Sequence, residues 1–123
     1  MKPARELKKG DYLIHRNEPC RVQRVENVAY STHSHTKLKI EVESAISRFK
    51  DILTLFPHTS VEDADIIRKK GQLISKNPVQ VMDLVSFETF NAEVPGEGAD
   101  EISEGDEVTF IEFGGKAIVL EKR

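Results

Sequence analysis

The 123-residue chain contains no tryptophan, a single cysteine and only five prolines. Cys20 cannot form an internal disulfide, which excludes a stapled scaffold, fits a reducing compartment and leaves any core to be held by packing. No uninterrupted apolar run is long enough to span a bilayer, and residues 1–6, Met-Lys-Pro-Ala-Arg-Glu, carry no apolar signal-peptide core. A cytoplasmic location without a membrane partner is the expectation. The chain also lacks Cys-x-x-Cys, His-Glu-x-x-His and any glycine-rich phosphate loop, the spacings that mark zinc sites, zinc hydrolases and nucleotide-binding enzymes. An enzyme is therefore not expected, nor are a cofactor, a bound metal or a small-molecule substrate.

Charge is unevenly spread. The net charge is −3, yet residues 1–50 hold eleven Lys and Arg against six acids, while residues 66–123 hold seven against eleven. A basic half of this kind is attracted to a polyanion through counterion release, which favours RNA phosphates without sequence preference. Seven of the eleven, Lys8, Lys9, Arg16, Arg21, Arg24, Lys37 and Lys39, lie in segments that lead into or flank the polar run at residues 30–37.

Hydrophobic periodicity predicts an all-β chain. Residues 12–16 read as a short strand between the turns Lys8-Lys9-Gly10-Asp11 and Asn17-Glu18-Pro19, and Cys20 opens the next strand, 20–27. Leu38, Ile40 and Val42 alternate with Lys39, Glu41 and Glu43 at the two-residue period of a half-buried strand. Between these last two strands lies a polar run, residues 30–37, with the character of a displayed hairpin tip. Ala45, Ile46, Phe49, Ile52, Leu53 and Phe56 recur at helical steps, whereas residues 51–56 are apolar and stop at Pro57; a helical turn at 44–49 followed by a strand is expected. Acidic residues 57–65 mark a boundary between domains 1–64 and 65–123. Beyond it, strands are expected at 66–75, with Gly71 as a bulge, 79–84, 87–94, 108–113 and 116–122, the last two joined by Gly114-Gly115. Residues 95–104 have room for a short helical turn. A small antiparallel barrel follows for the first half, and the five strands of the second suit an OB barrel. One core is expected from Val22, Leu38, Ile40 and Leu53, the other from Ile74, Val81, Phe110, Ile118 and Leu120.

Specific residues then match a family. Leu7-Lys8-Lys9-Gly10-Asp11-Tyr12 with Glu18-Pro19-Cys20-Arg21-Val22 resembles the opening of the archaeal and eukaryotic translation factor 5A family, with bacterial elongation factor P a more distant relation. Val79-Gln80-Val81-Met82-Asp83-Leu84 and Glu88-Thr89-Phe90 look like strands of that family's second domain. The resemblance implies an SH3-like N-terminal barrel followed by a C-terminal OB-fold. In the family the tip carries a Gly-Lys-His-Gly-His-Ala-Lys type sequence, whose first lysine becomes hypusine and reaches toward the ribosomal peptidyl-transferase centre. The matching run here is Ser31-Thr32-His33-Ser34-His35-Thr36-Lys37. His33, His35 and Lys37 match, Ser31 and Ser34 replace the glycines, and Thr32 stands at the modified lysine. A threonine has no amine to accept an aminobutyl group, so hypusine is not expected here.

A divergent paralogue is thus implied, whose partner is the ribosome or structured RNA and whose contacts are Thr32, His33, Ser34, His35, Lys37, Arg21 and Arg24. His33 and His35 would point to one side of an extended backbone and could begin a metal site, but the remaining His and Cys candidates, His15, Cys20 and His58, supply no recognised spacing. Cys20, at a strand start, is assigned to the core. The alternative function is a structural self-assembling protein like the Woronin-body core protein, which resembles factor 5A and lacks hypusine.

Overall fold

A computed structural model describes residues 1–29, 36–95 and 98–123. The strands, in order, are β1 (Lys2–Pro3), β2 (Tyr12–His15), β3 (Glu18–Ala29), β4 (Thr36–Ser44), β5 (Lys50–Leu55), β6 (Ser60–Val61), β7 (Lys69–Lys76), β8 (Val79–Asp83), β9 (Thr89–Glu93), β10 (Glu107–Phe113) and β11 (Lys116–Lys122). Two short 3-10 turns, Ala4–Glu6 and Gly98–Glu101, are the only helical pieces among the described residues. The chain divides into two compact units, Met1–Asp65 and Ile66–Arg123.

In the SH3-like first unit, β2, β3, β4 and β5 form an antiparallel meander. β4 is hydrogen-bonded on both sides, to β3 and β5, and its alternation sends Leu38, Ile40, Val42 and Ser44 inward. Opposite them come Val22, Val25 and Leu53, joined by Leu13 and Cys20 to make the core. The β2–β3 turn is tight because Arg16 and Asn17 both take positive φ, at 54° and 62°, as a two-residue hairpin requires. The turn Ala4–Glu6 is clamped by backbone bonds from Ala4 N to Thr59 O (2.8 Å) and Arg5 N to Pro57 O (2.9 Å), which seat Ala4 and Leu7 on that core.

The helical turn expected at 44–49 is absent. Ser44 Oγ accepts the backbone N–H groups of Ile46 (3.0 Å) and Ser47 (3.1 Å), and Ser44 N donates to Phe49 O (2.9 Å), closing a bend. A hydroxyl offering local bonds to the backbone competes with the helix in this way. Arg48 takes a φ of 63°, which ends any helical path. The apolar spacing reflected packing of Ala45 and Phe49 from the bend, while Ile52 and Phe56 are exposed.

The second unit is a closed barrel in the order β10-β11-β9-β8-β7, with β11 and β9 parallel and the remaining pairs antiparallel, the OB-fold expected. Leu73, Val81, Val108, Phe110, Ala117 and Val119 fill it, and Ile102, just after the second 3-10 turn, is buried with them. Gly114 and Gly115 take φ of 63° and 82° in the β10–β11 turn, the conformation their sequence predicts. Asp83 is buried at the end of β8, where its carboxylate accepts the N–H of Val85 (2.8 Å) and Ser86 (3.3 Å). Those bonds, chiefly that from Val85, hold its carboxyl below the ordinary carboxylate range despite its burial.

Two positions in β7 differ from expectation. Gly71 is not a bulge: it pairs in register with Asp83 and Val108, and a Cβ there would stand 2.5 Å from Val81 Cγ1 and 2.8 Å from the Phe110 ring. The glycine exists so that Phe110 can cross the strand closely. The bulge lies three residues on, where Leu73 pairs with Val81 but Ser75 with Gln80. The extra residue, Ile74, points outward and is 39% exposed, so it leaves the expected core. A similar shift between Thr109 and Phe110 skips Leu120, which is only half-buried, while Ile118 is buried as expected.

Leu73→Ala should cost about 2–5 kcal/mol in denaturant unfolding, and Ile74→Ala less than about 1 kcal/mol. Gly71→Ala, by overpacking against Phe110, should cost about 1–3 kcal/mol. Equal losses at 73 and 74 would contradict the bulge.

Candidate nucleic-acid interface

The interface is built on the β3–β4 hairpin, whose register carries a bulge between Val22 and Arg24. In a regular strand residues three apart face opposite ways. With Gln23 as the extra residue, Arg21 pairs with Glu43 and Arg24 with Glu41, so both arginines share the face turned away from the core. Lys39 and Lys37 continue that face opposite Glu26 and Val28. Arg21, Arg24 and Lys37 are therefore brought onto one surface. They are not brought into one cluster: the seven steps along the chain from Arg21 to Val28, which pairs with Lys37, span roughly 23 Å of strand.

Acids interrupt this surface. Glu43 stands opposite Arg21, Glu41 opposite Arg24, and the Arg24 guanidinium also pairs with the Glu26 carboxylate. Opposite charges across strands lower the field that a phosphate would feel. At the far end of the hairpin, Arg16 lies 3.3 Å from Asp51 and 5.0 Å from the centre of the Phe49 ring. His15 Nε2 is 2.8 Å from the same carboxylate, and the His15 hydrogen bond is the main reason Asp51 is held below the usual carboxylate range. Lys8 and Lys9 are exposed in the turn ending at Gly10, where an added Cβ would be 3.8 Å from the Arg21 guanidinium. Thr32, His33, Ser34 and His35 lie outside the described residues.

Beside the strand ends that flank residues 30–35 is a feature the strand pattern did not reveal. Phe56 follows β5 and is 41% exposed, although Leu55 before it packs on the core. Its ring stacks with His58 at 5.8 Å between centroids and 19° between planes, and Lys37 Nζ lies 5.0 Å from the Phe56 centroid. Arg5, Thr36, Phe56, Pro57 and His58 line an open cavity of about 560 Å³. The signal available in the sequence was Phe-Pro-His itself, an aromatic placed where a strand must stop at proline.

Relatives with this architecture are known. No family model matches the chain. It is 35% identical over 119 residues to translation initiation factor 5A of Metallosphaera sedula, covering 94% of this chain and 91% of that protein. The chain belongs to the translation initiation factor 5A family. The factor of Korarchaeum cryptofilum is 32% identical, over 98% of this chain and 92% of its own length. Among solved structures, the protein described as eukaryotic translation initiation factor 5A from Methanococcus jannaschii superposes with a TM-score of 0.74 at 27% identity, covering 98% of this chain and 92% of that one.

In this factor 5A family member the described residues include no group of three or more His, Cys, Asp or Glu side chains placed to hold a metal ion. No described helix is long and apolar enough to cross a membrane. Cys20 is fully buried, its Sγ 3.5 Å from Glu18 O and 3.7 Å from His15 O. Burial, followed by the charge of Glu18, pushes the thiol up to about 11. A thiol in that state is a core group, not a nucleophile. At pH 8 only roughly one in a thousand such thiols would be ionised, so native alkylation by iodoacetamide should run at least about a hundredfold slower than in denaturant. Labelling at the denatured rate would show the thiol to be open and reactive.

Proposed function

We propose that the chain is a cytoplasmic, non-enzymatic translation factor of the 5A type that contacts the ribosome or structured RNA without hypusine and acts in, or regulates, elongation. The SH3-like domain 1–64 meets the RNA, and domain 65–123 is the OB-fold module. The observation that carries this reading is Thr32 at the position of the family's modified lysine, within a chain that otherwise keeps His33, His35 and Lys37. Without an amine at that position, the contact depends on what surrounds it. Ser34 and the tip histidines offer hydrogen bonds and imidazole faces, while Arg21, Arg24 and Lys37 offer charge to phosphates. Support comes from family membership and from the shared outward face of those three cations.

Intact-mass and peptide spectra of the protein from its native cell should show no hypusine or deoxyhypusine. Such an increment on Lys37 or Lys39 would overturn the reading. In co-sedimentation with ribosomes, binding should weaken steeply with salt. Arg21→Ala, Arg24→Ala and Lys37→Ala together should flatten the slope of log affinity against log salt by about one unit for each phosphate no longer neutralised. Replacing Asp100, Glu101 and Glu104 should leave the slope unchanged. Absence of binding at low salt, with large assemblies forming in the protein alone, would favour the self-assembling alternative.

A further inference from the structure

We propose that the surface formed by Phe56, His58, Arg5, Thr36 and Lys37 is a binding site for one unpaired nucleotide of RNA, its base stacked on the aromatic pair and its phosphate held by the cations. The proposal rests on the RNA-contact reading above and gives it a location and a ligand class. Its first support is an exposure that the fold does not require. Phe56 lies beyond the last pair of the β4–β5 ladder, so its ring contributes little to the core while remaining 41% exposed beside an imidazole. Exposed, sequence-tolerant π-faces are what single-stranded nucleic acids stack upon.

The second support is charge. On the outer face of the sheet Arg21, Arg24 and Lys39 each stand opposite a glutamate. The described lining of this cavity contains no carboxylate: Arg5 supplies a guanidinium and Thr36 a hydroxyl, while Lys37, next along β4, places its ammonium over the Phe56 ring. An anion approaching here meets the Arg5 guanidinium, which can grip phosphate through two parallel donors.

The third support is rigidity. Pro57 restricts the backbone, Thr59 N donates to Phe56 O (3.0 Å), and Pro57 O and Thr59 O accept the N–H groups of Arg5 and Ala4. The platform is thereby tied to the buried Ala4, so the backbone that carries Arg5, Phe56 and His58 is fixed before a ligand arrives. A volume of about 560 Å³ lies within the usual range for small-ligand sites and accommodates a nucleotide.

The test uses a single-stranded hexanucleotide RNA carrying 2-aminopurine, whose emission is quenched by stacking; the chain has no tryptophan to interfere. The full-length protein should quench it and bind it roughly tenfold more tightly than a hexameric sugar-phosphate strand without bases. Phe56→Ala should abolish that preference for bases, and Arg5→Ala should weaken both strands together. Phe56→Leu, which keeps the apolar bulk, should lose the quenching as well, so a folding defect in the alanine variant would not disguise the result. Equal affinity for the two strands in the unaltered protein overturns the proposal, as does unchanged quenching in both Phe56 variants. Ribosome co-sedimentation separates the two readings: ribosome binding without quenching overturns this site alone, and quenching without ribosome binding overturns the ribosomal reading alone.

Discussion

The backbone ladder on the two sides of β4 is the constraint on which the first unit depends. Because that strand donates and accepts in both directions, its alternation decides which residues of β3 and β5 face the core. Leu38, Ile40 and Val42 enter one side, leaving Lys37, Lys39, Glu41 and Glu43 on the other. A slip of one residue would exchange these sets, burying four charges. The apolar core thus enforces the register, and the register places the charged groups on the outward face of the hairpin.

Bulges then adjust what the ladder would otherwise impose. The extra residue at Gln23 restores Arg24 to the face of Arg21, and without it the two arginines would stand on opposite sides of the sheet. In the barrel the same device expels Ile74 of β7 from the core and skips Leu120 in β11. Each bulge costs a ladder bond and bends the strand more strongly, which a small closed barrel needs if five strands are to meet. Gly71 contributes to that closure in another way, by vacating the volume that the Phe110 ring occupies.

Charge on the first unit shows how composition differs from potential. The basic excess of residues 1–50 suggests a uniformly positive half, yet on the hairpin most cations face acids across the strands, and Arg16 is engaged by Asp51. Surface pairs of this kind add little stability. They do divide the surface, leaving the region around Arg5, Phe56 and His58 as a cationic and aromatic patch whose described lining has no acid.

Much of the architecture was legible in the sequence because strands and turns are written locally. The two-residue period of 38–43, the paired glycines at 114–115 and the succession of short strands each predict an element from neighbouring residues alone. That Thr32 carries no amine is equally a fact of sequence, since it is decided by which atoms the side chain contains. What escaped was whatever depends on register or on distant segments. The bend at 44–49 imitated helical spacing because apolar residues on a bend and on a helix can meet the same core. Ile74 satisfied the strand pattern, but a bulge is visible only when its partner strand is in place. The Phe56 site draws on residues 5, 36–37 and 56–58, three segments whose nearness follows from the pairing of β4 with β5 and from the clamp of Ala4–Glu6 on residues 57–59. Side-chain identity determined what could be bound, and tertiary packing alone decided which of those side chains stand together.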